Sequence, residues 1–130
     1  MNNFRLSKNS IAKLKGVHPD LIALTRLALR YSDVDFGVSY GLRTLEEQKK
    51  FVAEGKSQTM NSRHLYGMAV DVVAYVGGKV SWEWNLYEQI NLAFMKAGKE
   101  LGIPYVWGGS WKTLKDGPHF ELDRKVYPDA

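Results

Sequence analysis

Ser62-Arg63-His64-Leu65-Tyr66-Gly67-Met68-Ala69-Val70-Asp71 and Asp116-Gly117-Pro118-His119-Phe120-Glu121 place two histidines and two aspartates among strand-forming, apolar residues. Catalytic zinc takes three side chains from His, Asp and Glu and keeps a fourth position for water. His64, Asp71 and His119 supply such a set. A carboxylate beside the metal can take the proton from that water, and Asp116 is the candidate base. The expected cofactor is therefore Zn2+, one per chain, with its three ligands on separate strands.

Working outward from these segments, Met68 to Val76 is small or β-branched and reads as a buried strand, with a hairpin turn at Gly77-Gly78. Strand side chains alternate, so Asp71 shares a face with Ala69 and Val73, opposite Val70 and Val72. Pro118 to Leu122 and Tyr105 to Trp107 read as two more short strands around a glycine-containing loop. Phe36, Val38 and Tyr40 alternate as a further strand that ends near Arg43. Helices are predicted over Pro19 to Tyr31, from a Thr44/Glu47 capping box to about Glu54, and from about Trp84 to Leu101 before Gly102. The first eighteen residues form an arm with a helical turn at Ser7 to Leu14, and Lys56 to Asn61 is a polar loop. Helices mixed with hairpin-like strands indicate an α+β domain on a small antiparallel sheet.

The 130 residues suffice for one compact core, so residues 1–130 are read as a single catalytic domain, too short to carry a separate binding domain as well. With no cysteine, disulfides and thiolate metal sites are excluded. A net charge of +4 suits an acidic polymer. The basic residues are scattered among acids, however, and no basic stripe with interleaved aromatics appears, so nucleic acid is not expected as a partner. No apolar run is long enough for a signal peptide or a membrane span, which predicts a soluble chain made in the cytoplasm.

The pattern SxHxxGxAxD, followed by an acid three residues before a histidine, resembles the D-alanyl-D-alanine carboxypeptidase family of zinc peptidases. Within it the chain looks most like the bacteriophage L-alanyl-D-glutamate endopeptidases. Ser39-Tyr40-Gly41-Leu42-Arg43-Thr44 with Gln48, and Val106-Trp107-Gly108-Gly109-Ser110-Trp111, match as well, and the resemblance runs from about Pro19 to Leu122. The vancomycin-resistance branch has glutamate where this chain has Asp116, a departure that favours the phage branch. The resemblance implies helices flanking a small antiparallel sheet that carries the zinc, as in the D-Ala-D-Ala peptidase/Hedgehog-like fold. It also implies a monomeric endolysin that cuts the L-alanyl-D-glutamate bond of peptidoglycan, reaching the periplasm or wall through a separately encoded holin. A D-alanyl-D-alanine carboxypeptidase and a non-catalytic zinc-containing wall-binding module are the rival readings.

Taken singly, several of these residues have plainer readings. Asp71 could bond backbone or Arg63, and Asp116-Gly117-Pro118 is also a turn sequence in which Asp bonds its own backbone. Such a turn could still hold the carboxylate over the metal-bound water. Arg43 stands before a helix N-terminus, where a cation opposes the dipole, so a role in stabilising the oxyanion is attractive. Ser62, Gln48 and Trp107 are candidates for binding substrate, although Trp107 and Trp111 also suit a core. Glu121 is the reserve carboxylate should Asp116 prove to be a ligand. His18, far from both motifs, is assigned to the surface.

Overall fold

The computed structural model describes residues 2–57, 59–113 and 115–128. The predicted buried strand is β2 (Ala69–Val76), and it forms the spine of the sheet. One edge of β2 pairs antiparallel with β1 (Asp35–Tyr40). The other edge is divided: Ala74–Val76 pairs with the short β3 (Lys79–Ser81) through the Gly77-Gly78 turn, and Ala69–Asp71 pairs with β5 (His119–Leu122). β4 (Tyr105–Trp107) closes the order β1-β2-β5-β4.

The alternation of β2 divides the work of its two faces. Val70, Val72 and Ala74 join Phe36, Val38 and Phe120 in the core, where α2 (Pro19–Tyr31) and α4 (Trp84–Leu101) cover the sheet. Leu21, Leu24 and Ala28 of α2 and Ile90, Phe94 and Ala97 of α4 form the apolar stripes that meet it. Phe94 stacks on Phe120 with ring centroids 3.9 Å apart. Asp71 points to the opposite face, which the two long helices leave clear.

The remaining elements are α1 (Lys8–Lys13), α3 (Leu45–Ala53) and two 3-10 turns, Arg63–Tyr66 and Gly108–Ser110. α3 begins with the expected capping box: the Glu47 N–H donates to Thr44 Oγ1 and the Thr44 N–H to Glu47 Oε1. α4 stops at Gly102, whose φ of 69° is the left-handed conformation that ends helices. The α+β class and helix spans therefore agree with the sequence reading. Two expectations need correction. His64 lies on a 3-10 turn and not on a strand, because Ser62 caps that turn and Gly67 closes it at φ 69°. His18 is half-buried: its Nδ1 accepts from the Asp20 N–H at the start of α2, and its ring stands edge-on to Tyr127. Among the described residues no helix is long and apolar enough to cross a membrane.

Candidate active site

Sheet register brings the two distant motifs together. Asp71 and His119 are direct partners across the β2–β5 pair, so their side chains project from the same face. The 3-10 turn before β2 then delivers His64. His64 Nε2 lies 3.3 Å and His119 Nδ1 3.2 Å from the same oxygen, Asp71 Oδ1. The donor atoms of the three residues all lie within 4.8 Å of one another.

The outer nitrogen of each histidine is already committed. His64 Nδ1 is 2.8 Å from the Gly41 carbonyl, which can only accept. His119 Nε2 is 2.9 Å from Glu121 Oε1. The Gly41 carbonyl fixes the proton of neutral His64 on Nδ1 and leaves its Nε2 lone pair facing Asp71, while His119 lies between two carboxylates and would turn its Nδ1 lone pair to the same oxygen on giving up its inner proton to a cation. Three acceptors around one point fit a cation. Two ligand atoms each bound at zinc's usual distance in a tetrahedron stand about 3.3 Å apart, close to the spacings seen here. The outer-nitrogen bonds are the usual support that orients metal-binding histidines.

Electrostatics of the bare protein agree. Burial alone would raise the Asp71 carboxyl, but the charges and hydrogen bonds of His64 and His119 hold it well below the usual carboxylate range. Burial would lower His119, yet its bonds to Asp71 and Glu121 carry it up to about 9. The cluster thus attracts positive charge. The donors are imidazole nitrogens and a carboxylate oxygen, a set suited to zinc and other first-row divalent ions.

The cluster lies in a cleft of about 790 Å³ that Arg43, Ser62, Trp111 and Asp116 also line. Gly108 carries the wall beside Asp116. Its carbonyl accepts from the N–H groups of both Trp111, at 3.2 Å, and Asp116, at 3.0 Å. A Cβ at position 108 would meet the Asp116 carbonyl at 2.3 Å, so only glycine permits this approach. Burial raises the Asp116 carboxyl above its ordinary range, with the Asp71 charge adding to the effect, while His119, His64 and Arg43 act against it.

Arg43 is held on three sides. Its Nη1 donates to Gln48 Oε1 at 2.8 Å, its Nη2 is 3.8 Å from Asp71 Oδ2, and its guanidinium lies 4.3 Å from the Phe51 ring centroid. Its backbone N–H donates to the His64 carbonyl at 3.0 Å, joining the end of β1 to the turn that bears His64.

The residues assigned from sequence to substrate binding divide. Ser62 lines the cleft, and its hydroxyl also accepts from the His64 N–H at the start of the turn. Gln48 is fully buried; it orients Arg43 and donates to Ser57 Oγ at 2.9 Å, so it cannot meet a ligand in the cleft. Trp107 is a wall support, its indole N–H donating to the Gly117 carbonyl at 2.7 Å. The tryptophan facing the cleft is Trp111, 5.0 Å from the His119 ring. Asp71 pairs with Arg43, not Arg63.

Two residues play other parts than the sequence reading gave them. Glu121, held there only in reserve as a base, binds the far side of His119. Arg63, 2% exposed, lies 3.6 Å from Glu121 through Nε and donates through Nη2 to the Leu122 and Tyr127 carbonyls. The signal for Glu121 was its place two residues after His119, on the same strand face.

The chain is similar to several known proteins. The L-alanyl-D-glutamate peptidase of Escherichia phage T5 is 35% identical over 129 residues, covering 96% of this chain and 93% of the relative. The crystal structure of the Serratia marcescens L-Ala D-Glu endopeptidase ChiX is 54% identical with a TM-score of 0.90, covering 97% of this chain and 96% of that one. The vancomycin-resistance D,D-pentapeptidase VanY, solved in complex with Zn(II), shares the fold at 20% identity and a TM-score of 0.51, over 93% of this chain and 74% of its own. The family model described as phage L-alanyl-D-glutamate peptidase matches residues 2–129, a span that includes every residue of the cleft, and the chain belongs to that family.

Proposed function

We propose that this chain is a zinc peptidase that hydrolyses the L-alanyl-D-glutamate bond in the stem peptides of bacterial peptidoglycan. The observation that carries the reading is the meeting of His64, Asp71 and His119 in one cleft with Asp116 and Arg43. Family membership and the activity named for the T5 and Serratia relatives support the choice of bond.

His64, Asp71 and His119 would hold one zinc ion per chain. When bound there, zinc supplies Lewis-acid chemistry, acidifying water and polarising the scissile carbonyl. Asp116 accepts a proton from the attacking water as its oxygen bonds to the carbonyl carbon. Its raised pKa suits a group that must hold that proton before returning it. Arg43, fixed by Gln48, stabilises the charge that develops on the carbonyl oxygen. Asp116 then protonates the departing nitrogen of D-glutamate as the carbon–nitrogen bond breaks.

We assign the chain an endolysin role, acting on the wall outside the cytoplasmic membrane after passage through a holin, by analogy with its phage relatives. The test is digestion of purified peptidoglycan with and without a chelator, with the new termini identified by mass spectrometry. New N-terminal D-glutamate that disappears with the chelator is expected. Release of terminal D-alanine would instead identify a carboxypeptidase, and binding without new termini a wall-binding module.

A further inference from the structure

The cleft is unevenly charged. Its lining carries Arg43, Lys56, Lys112 and Lys115 against two carboxylates, Asp71 and Asp116. Asp71 is engaged by two histidines and Arg43, and Lys56 lies 3.3 Å from Glu54. Among the described residues, no carboxylate lies within ion-pair reach of Lys112 or Lys115. Both belong to the segment whose ends, Trp111 and Asp116, donate to the single Gly108 carbonyl. Lys112 follows the tryptophan that faces His119, and Lys115 precedes the proposed base.

The substrate offers a matching anion. Glutamate has two carboxyl groups, and at most one can carry the peptide chain onward. The other stays free unless it is amidated, and it lies only a few bonds from the nitrogen to which Asp116 returns a proton. A cation that reads it must therefore stand near Asp116, as the two lysines do.

We propose that Lys112 and Lys115 form a subsite on the leaving-group side that binds the free carboxylate of the D-glutamate residue and disfavours stems in which it is amidated. The inference rests on the proposed function. Two mobile ammonium groups suit a carboxylate whose angle is not fixed, where an arginine fork would demand one geometry. A neutral amide in its place leaves the lysines without a partner, so the subsite discriminates as well as attracts.

The experiment uses two synthetic L-Ala-D-Glu-L-Lys tripeptides that differ only in whether the glutamate carboxyl outside the chain is free or amidated. Steady-state kinetics are measured for the zinc-loaded full chain and for the Lys112→Gln/Lys115→Gln double variant. The unmodified chain should favour the free acid by about tenfold in kcat/KM, mostly through KM, as expected for one charge-assisted contact. The double variant should lose that preference while keeping its zinc content, melting temperature and turnover of the amidated peptide. A preference that survives in the double variant, or equal use of both peptides by the unmodified chain, overturns the subsite.

Calorimetric binding of the same peptides to Asp116→Asn, with and without the two lysine substitutions, decides the matter independently of turnover. Tighter binding of the free acid that depends on the lysines supports the subsite, and equal binding of both peptides overturns it. Cleavage at a different bond would strike the proposed function while leaving this comparison readable.

Discussion

Asp71 and His119 are held differently from His64 and Asp116. The first two face each other as register partners in the middle of a sheet, so the ladder of β2 and β5 fixes both of them. The other two lie on irregular segments: the Gly41 carbonyl accepts from the His64 ring, whose turn is also bonded to Ser62 and Arg43, and the Gly108 carbonyl accepts from the Asp116 N–H. A ladder resists the loss of any one bond, whereas an irregular segment held by a few bonds can shift by itself. The Asp71–His119 pair is thus built into the sheet, and the proposed base is fitted to it from outside.

The largest effects should come from the three proposed ligands themselves. His64→Ala, Asp71→Ala and His119→Ala should each lose most of the zinc and all measurable turnover, as read by metal analysis and peptidoglycan digestion. Full zinc in all three variants would refute the ligand assignment. Because the ligands join a turn to two strands, chelation should also lower the melting temperature of the unmodified protein.

Asp116→Asn tests the other side of the comparison. It should keep its zinc and its ability to bind peptidoglycan while losing about two to four orders of magnitude in rate. Loss of zinc in this variant would make Asp116 a ligand and erase the distinction between the two regions.

Arg43 touches both regions, through Asp71 and through the backbone of the His64 turn. Arg43→Ala should retain zinc and fold and lose roughly a hundredfold in turnover, and Arg43→Lys should recover only part of it. Activity within a few-fold of the original would make Arg43 a structural residue only.

Glu121→Gln sharpens the comparison at its mildest point. It keeps the shape beside His119 but weakens the acceptor, so zinc affinity should fall about tenfold, measured by competition with a chromogenic chelator. Unchanged affinity would show that strand pairing alone orients His119.

Much of this was legible from residue order because the deciding signals are local. The Thr44/Glu47 box, the glycine after Leu101 and the apolar run of β2 announce their elements within a few residues. Joining His64 and Asp71 to His119 relied on the paired motifs, since strand register across 48 residues leaves no local mark. The misreadings share a cause: a side chain's direction depends on what packs beside it. Gln48 turns inward to Arg43, Trp107 turns to the Gly117 carbonyl, and Trp111 takes the cleft wall. Arg63 was legible only as a possible partner of Asp71, because the partners described for it include β5 and the Tyr127 carbonyl, both distant in sequence.

The shared attachment of Trp111 and Asp116 to Gly108 has a bearing on how such enzymes diversify. Since both ends of the segment meet at one oxygen, Lys112, Thr113 and Lys115 lie between two anchored points. New preferences for stem peptides could then arise by exchanging a few positions there while the hydrolytic apparatus stays untouched. For engineering, this marks Lys112, Thr113 and Lys115 as the positions to vary, and Gly108 as the position to leave alone.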